Sequence, residues 1–583
     1  MPHSRTIKGT SISTGLAHGS LHVVRGDAPQ VPTWVVPAGD VPTEIGRLAA
    51  ALQSAAEELE RQRRAVAATS GEKDAEIFAV HRMILEDPSA LGEVEKAITE
   101  ERINAEAAVG RLIERFHRTL SALDGASVRG FAADVSDPWQ RVLDTLLERD
   151  RRELDSSEEK VVLAAPELTP RVCAWLPRER VLAIVCESGG RFSHGAVLAR
   201  SMGLPCVVGL PGLLARLEQG MQITVDGDRG QVQLKPSPED LAEFERMIGD
   251  RQRRRRDVER FGPLPARASC GHRLGTQVNI ESLLDLPHFD PEHTDGVGLL
   301  RTEFLYMERS SFPSEEEQYR LYRRVVEHMR GRPVTIRTLD IGADKQLPYF
   351  QTPKERNPAL GWRGLRISLQ WPDLIQVQLR AALRASAHGP LRLLLPMVGS
   401  LEQIDQMRRI FDGVRQSLLE QGYECAEDLP VGAMIEVPSA LLSLHQIIAH
   451  VDFVSVGTND LVQYLLAVDR DNAFVAGLYD PFHPAVISAL QRVAEISRRA
   501  GKACSVCGDI AADPAFAVLL MGLGFDAVST APHFVPEIKY GLSRVSLAQS
   551  RELVHAVLAA ERSQEVRQLL KDWQAELSGS AGR

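Results

Sequence analysis

Cysteine is scarce in this chain: seven in 583 residues, Cys173, Cys186, Cys206, Cys270, Cys425, Cys504 and Cys507. An odd, scattered set excludes a disulfide-stapled scaffold and suits a reducing compartment. The one CxxC, Cys504 to Cys507, lacks the second pair that a structural zinc site needs. Long apolar runs are missing too: no stretch of 18 occurs, which excludes a spanning helix and any membrane insertion by that route. The start, Met-Pro-His-Ser-Arg-Thr-Ile-Lys-Gly, has no apolar stretch of the secretory kind, so a cytoplasmic protein is expected. Positive charge is in deficit, 68 Lys plus Arg against 78 Asp plus Glu, for a net −10. That leaves no basic footprint for nucleic acid. The one basic run, Arg251 to Arg256, reads as a solvated helical connector broken at Gly262-Pro263 and Pro265. What is present is ordinary for a globular chain, 44% apolar and 25% charged. At about 150 residues per domain, three or four compact units are expected.

Three regions differ in pattern. From Pro42 to Leu147 apolar residues recur at helical spacing: Ile45, Leu48, Leu52 and Leu59; Ile77, Val80 and Ile84; Val109, Leu112, Phe116 and Leu120. Asp87-Pro88 and Asp137-Pro138 each read as an N-cap followed by proline at the first helical position. This bundle carries no catalytic cluster and is either a structural insertion or a docking surface for a partner. From Lys160 to Leu234 short β-branched runs dominate, with a hairpin turn at Asp226 to Gly230 and one helix, Ala196 to Met202. Strand-like residues before Arg25 complete this small β/α domain and make the helical region an insertion. Beyond the connector, eight short apolar runs alternate with amphipathic stretches: near Val278, Val297–Leu300, Val334–Ile336, Leu393–Leu395, Val431–Ile435, Phe453–Val456, Ala503–Val506 and Ala527–Val528. Eight such units imply a (β/α)8 barrel with its active site at the C-terminal ends of the strands.

Those ends gather useful chemistry. Arg301 follows the second run, and Arg337 ends the third, with Asp340 and Lys345 beyond it. Glu436 follows the fifth, Asn459 and Asp460 the sixth, and Cys507 the seventh. Arg301, Arg337 and Arg363 offer forked donors to phosphate and carboxylate. Glu436 and Asp460 are hard oxygen ligands suited to Mg²⁺. A thiol among them could protonate a carbanion-like centre. Phosphoenolpyruvate meets all three needs, having a phosphate, a carboxylate and an enolate carbon that requires a proton once the phosphoryl group departs. In the small domain, Gly189-Gly190-Arg191-Phe192-Ser193-His194-Gly195-Ala196 puts His194 at a helix start. There free N–H groups and the helix dipole stabilise a phosphate on the ring. With an unperturbed pKa near 6.5, a neutral His is available as a nucleophile at pH 7.

These motifs resemble the phosphoenolpyruvate-utilising enzymes. The residues around His194, with Ala199-Arg200-Ser201-Met202-Gly203-Leu204-Pro205, are similar to that family's phosphohistidine motif. Gly296 to Leu305, Arg337 to Gly342, Asn357 to Arg363, Met434 to Pro438, Gly457 to Leu461, Ala467 to Arg470 and Cys507-Gly508 continue the resemblance in family order. Within the family the match is to the enzyme I branch, the phosphoenolpyruvate-protein phosphotransferases of the sugar phosphotransferase system. The chain departs from the usual pattern at Phe192, Gly195, Ala343 and Asp509.

The resemblance implies that His194 accepts phosphoryl from phosphoenolpyruvate, and that pyruvate is released. Arg301, Arg337, Lys345, Asn459 and Arg470 would hold the substrate, with Arg363 beside them. Glu436 and Asp460 would hold Mg²⁺, and Cys507 would protonate enolpyruvate. It further implies transfer to a small HPr-like phosphocarrier and a homodimer formed through the barrel. The expected domains are 1–30 with 155–240, a swivelling phosphohistidine domain; 31–154, an inserted helical carrier-docking domain; 241–265, a connector; 266–570, the (β/α)8 barrel; and 571–583, a tail. Two other readings are weaker. A dikinase or synthase that phosphorylates the histidine from a nucleotide needs a large nucleotide domain before it, whereas the region before His194 is mostly helical and lacks a glycine-rich nucleotide loop. A phosphocarrier whose barrel is a dead scaffold would not need Arg301, Arg337, Glu436, Asp460 and Cys507 together.

Overall fold

The structure, a computed structural model, describes residues 5–579 apart from 25–30, 71, 122–125, 148–159, 169–179, 190–198, 200–202, 308, 343–346, 348, 351–354, 471 and 473. It forms two compact units, Met1–Arg253 and Arg254–Arg583.

The first unit is built on an eight-stranded sheet. Three strands come from the chain start, β1 (Arg5–Lys8), β2 (Thr10–Ser13) and β3 (Leu16–Val23). Five come from beyond the helices: β4 (Val161–Ala165), β5 (Val181–Cys186), β6 (Cys206–Val208), β7 (Gln222–Asp226) and β8 (Gln231–Leu234). Their order is β1-β8-β7-β3-β4-β5-β6-β2, with β3 to β6 parallel, so the strand-like start does complete the small domain. β4 lies inside the sheet and is buried along its whole length. Val161, Leu163 and Ala165 pack on one face, and Val162 and Ala164 on the other. This is why its sequence reads as an unbroken apolar run rather than an alternation. The β7–β8 turn is the expected hairpin, tied by the Asp226 carboxylate, which accepts from the Asp228 and Arg229 amides.

Between β3 and β4 lie helices α1 (Val41–Ser70), α2 (Glu72–Leu85), α3 (Pro88–Thr99), α4 (Ala105–Ser121) and α5 (Ala126–Leu146). Leu48, Leu59, Val109 and Leu112 form their core, as their spacing requires. Asp87 caps α3, accepting from the Ser89 and Ala90 amides with Pro88 at the first turn. Two expectations fail here. Asp137-Pro138 does not begin a helix; Pro138 lies inside α5. The Asp137 side chain instead pairs along the helix with the buried Arg141 at 3.4 Å and lies 3.8 Å from His81 of α2, a tertiary contact at a position that a helix start would leave exposed. Val80 faces solvent at 48% exposure, and Phe78 takes the core position on α2. Helix α6 (Pro238–Glu259) carries Arg251 to Arg256, all exposed, with Arg251 on Asp228, Arg253 on Asp250 and Arg255 on Glu259. The expected helix Ala196 to Met202 falls almost wholly outside the described residues.

The second unit is a closed parallel barrel. Its strands are β9 (Gly275–Ile280), β10 (Val297–Leu300), β11 (Val334–Arg337), β12 (Leu391–Leu395), β13 (Val431–Ile435), β14 (Phe453–Val456), β15 (Ala503–Val506) and β16 (Ala527–Thr530). Each pairs with the next, and β16 pairs with β9 to close the ring. All eight apolar runs are therefore strands of one barrel. Leu299, Leu394, Met434, Phe453 and Cys507 form an apolar cluster inside the ring. Leu299, Met434 and Cys507 are also the apolar floor of the cleft above it. A packed interior of this kind fixes the strand ends, and with them the side chains that they display.

Candidate active site

A cleft of about 540 Å³ opens at the C-terminal rim of the barrel. Arg301, Arg337, Arg363, Glu436, Asn459, Asp460, Arg470 and Cys507 all line it, together with Glu281, Tyr479 and Asp509. Strand ends account for the convergence. Arg337 is the last residue of β11. Glu436 follows β13 directly, and Pro438 then opens the next helix and turns the chain away. Asp460 and Asn459 sit in the first turn of helix Thr458–Leu466 after β14, and Cys507 directly follows β15. Close packing holds this side of the rim. A Cβ on Gly508 would stand 1.8 Å from the Thr458 hydroxyl, so only glycine lets the Cys507 turn approach the β14 loop. The Asp509 amide donates to Asn459 Oδ1 at 3.1 Å, and the Tyr479 hydroxyl donates to the Asn459 carbonyl, which together fix Asn459 against both loops. Cys504 and Cys507 are free, buried thiols on and just after a strand.

The charges are interleaved. Arg337 bonds to Glu303 and lies 3.2 Å from Asp340. Arg363 bridges Asp340, at 2.9 Å, and Asp460, at 3.2 Å, and also donates to the Tyr464 hydroxyl. Arg301 is paired with Glu281 at the mouth of the cleft. Glu436 is 1% exposed and accepts the Met397 amide at 2.6 Å. Met397 holds φ at +56°, a conformation uncommon for a residue with a Cβ, which here aims its amide at the carboxylate. Burial first, then the negative charges of Asp460 and Asp340, push the Glu436 carboxyl up to about 8. Burial also raises the Cys507 thiol, whose Sγ donates to the Val456 carbonyl at 3.5 Å. It therefore stays protonated at neutral pH, as a proton donor must.

The residues fit an anionic substrate with a divalent cation. The Nε groups of Arg301 and Arg337 are buried and have no hydrogen-bond partner among the described residues. Glu436, Asp460 and Asp340 crowd more negative charge together than Arg337 and Arg363 neutralise, and a hard cation would relieve that. No group of three or more His, Cys, Asp or Glu forms a cage among the described residues. Mg²⁺ does not ask for one, because it takes one or two carboxylates and completes its shell with phosphate and water. Arg363 lines the cleft, and its fork is committed to Asp340 and Asp460, so it also orients carboxylates. Asp340 stands among the strand-end residues named from sequence, without a role; Glu303 lies in a quoted motif, and only its pairing with Arg337 reveals it. His194 and Lys345 lie outside the described residues.

Family models for the PEP-utilising enzymes match three stretches: the N-terminal model at residues 8–130, the mobile-domain model at 157–230 and the PEP-binding-domain model at 255–547. The chain is 37% identical over 567 residues to a phosphoenolpyruvate-protein phosphotransferase of Geobacillus stearothermophilus, covering 97% of this chain and 98% of that one. It is 34% identical over 572 residues to the protein of the same name from Haemophilus influenzae, covering 98% and 100%. Among solved structures, an enzyme I protein determined by NMR matches at 30% identity with a TM-score of 0.35, covering 42% of this chain and 99% of that one. A match to three models in order, and to relatives from end to end, leaves one conclusion: the chain belongs to the PEP-utilising enzymes, in the family of the phosphoenolpyruvate-protein phosphotransferases.

Proposed function

We propose that this enzyme transfers phosphoryl from phosphoenolpyruvate to its own His194, releases pyruvate, and passes the phosphoryl group to a small HPr-like phosphocarrier. The observation that carries the reading is that Arg301, Arg337, Glu436, Asn459, Asp460, Arg470 and Cys507, drawn from six strand ends or loops, line one cleft in a chain of this family. Arg301 and Arg337, with Lys345, Asn459 and Arg470, hold the phosphate and carboxylate. Arg363 keeps Asp340 and Asp460 in place. The His194 ring nitrogen attacks phosphorus, the bond from phosphorus to the enol oxygen breaks, and enolpyruvate is left. Cys507 then gives its thiol proton to C3, and pyruvate departs. The oxygens of Glu436 and Asp460 would hold Mg²⁺, which when bound neutralises charge on the phosphate.

The helical region α1 to α5 serves as the carrier's docking surface, and residues 1–30 with 155–240 as the phosphohistidine domain. The enzyme works in the cytoplasm. It acts as a homodimer through the barrel. The test is incubation with labelled phosphoenolpyruvate and Mg²⁺ followed by mapping of the acid-labile label. Label on His194, lost in His194→Ala, is the expected outcome; undiminished label in that variant refutes the assignment.

A further inference from the structure

Barrel helices usually meet through apolar side chains, but under the second and third strand ends this one holds a buried polar chain. Gln378, on helix Pro372–Ala385, is fully buried, and all three of the bonds seen on its amide go to buried groups. Its Oε1 accepts the Leu339 amide at 2.8 Å. Its Nε2 donates to the Thr302 hydroxyl at 3.1 Å and to the Tyr322 hydroxyl at 3.0 Å. The Thr302 hydroxyl in turn donates to the Arg337 carbonyl at 3.1 Å. Tyr322 donates to Gln318 Oε1, which also accepts from Tyr306. A flipped amide would set its NH₂ against the Leu339 N–H, so only one orientation satisfies all partners.

The sequence positions of those partners give the network its meaning. Thr302 stands between Arg301 and Glu303. Leu339 stands between Arg337 and Asp340, one residue removed from the first and adjacent to the second. One side-chain amide thus ties the loop after β10 to the loop after β11, the two loops that carry the proposed phosphate-binding arginines. We propose that Gln378 is a positioning residue for phosphoenolpyruvate: it sets the spacing of Arg301 and Arg337 without touching the substrate. The proposal rests on the function proposed above. The two loops are also joined directly, by the Thr302 hydroxyl on the Arg337 carbonyl and by the Arg337–Glu303 pair; Gln378 adds the tie to Leu339 and orients the Thr302 hydroxyl. Arg301 is anchored by its backbone to β9, through its amide on the Ile280 carbonyl, and Arg337 by its ion pairs. Polar groups behind binding residues typically alter affinity or activity by roughly tenfold to a hundredfold when lost.

A stability defect and a positioning defect are separable here, because Tyr322 belongs to the same network but bonds to neither loop. Three variants, Gln378→Leu, Gln378→Glu and Tyr322→Phe, are compared with wild type by thermal melting and by phosphoenolpyruvate-dependent pyruvate formation, read as KM and kcat. Phosphorylation from a phosphorylated carrier is measured alongside. Gln378→Leu should raise KM for phosphoenolpyruvate roughly tenfold or more. Gln378→Glu, which keeps the acceptor for Leu339, should raise it less. Tyr322→Phe should lower the melting temperature with KM unchanged, and all three should still accept phosphoryl from the carrier. An unchanged KM in Gln378→Leu, or an equal rise in Tyr322→Phe, overturns the proposal. A wild-type protein that forms no pyruvate refutes instead the function on which it rests.

Discussion

Replacing Arg337 by Met should separate two properties that the native guanidinium combines. The side chain is 5% exposed and lies between Glu303 and Asp340, with Glu436 and Asp460 close enough to hold it charged. Removing the cation takes one counter-charge from each of two buried carboxylates, Glu303 and Asp340, the second of which is still bridged by Arg363. Breaking a buried pair from one side costs about 3–5 kcal/mol, chiefly the desolvation of what is left. For a unit spanning Arg254–Arg583, at about 2.1 cal/mol/K of unfolding entropy per residue, that lowers its melting temperature by roughly 4–7 °C. Arg301→Met is the contrast. Its side chain is 28% exposed and its partner Glu281 62% exposed. Losing that pair costs at most about 1 kcal/mol. Both variants should lose labelling by phosphoenolpyruvate, yet only Arg337→Met should melt early. Adding Glu303→Gln to Arg337→Met removes one of the two buried charges that lost Arg337, and should restore part of the stability and none of the labelling. Scanning calorimetry gives the first quantity and acid-labile label the second. An Arg337→Met protein that melts with wild type, or a double variant destabilised by the sum of both changes, would show that the buried charge balance has been misjudged.

Three further outcomes follow from the same cleft. Glu436 holds its proton more tightly folded than unfolded, at about 8 against 4.5. The stability it contributes is complete below its unfolded pKa and is lost as pH rises through the folded one. Metal-free protein should therefore melt progressively earlier from about pH 5 to about pH 8, and Mg²⁺ should raise the melting temperature more at the upper end; an equal Mg²⁺ effect at both ends counts against this. Cys507→Ala should bind phosphoenolpyruvate but lose enzyme-catalysed exchange of pyruvate methyl protons, followed by NMR in deuterated water, and exchange at the wild-type rate would assign the proton to another group. Gly457→Ala would put a Cβ 2.5 Å from Glu436 Oε2. It should cost about 1–3 kcal/mol by overpacking and weaken the Mg²⁺ dependence of turnover roughly tenfold or more, because the carboxylate must move; unchanged metal dependence would show that Glu436 is not a ligand.

Much of this molecule is legible before any coordinates. The eight barrel strands are short, apolar and separated by amphipathic stretches, a pattern that a buried parallel ring imposes on any sequence that forms it. The rim residues are legible for the same reason. Arg301, Glu436 and Cys507 directly follow barrel strands, Arg337 ends one and Asp460 opens the next helix, so strand order places them at one rim. Local rules failed where packing intervened: Asp137-Pro138 has the form of a helix start, but α5 runs through it, with Asp137 buried beside His81 of α2 and paired along the helix with Arg141. The chain alone also leaves open how the charges divide. Which of Glu303, Asp340, Glu436 and Asp460 neutralises an arginine and which is left to hold a proton or a cation depends on distances across several loops. Gln378 illustrates the limit most clearly. In sequence it is one polar residue in a helix 41 residues beyond Arg337. Only the closing of the barrel brings it under Thr302 and Leu339, where a single amide links two loops of the site. Sequence determined the strands and what stands at their ends, because those follow from local periodicity. The pairing of buried charges and the tie behind them were decided by tertiary structure, because desolvation makes such groups bond to whatever the fold brings within about 3 Å.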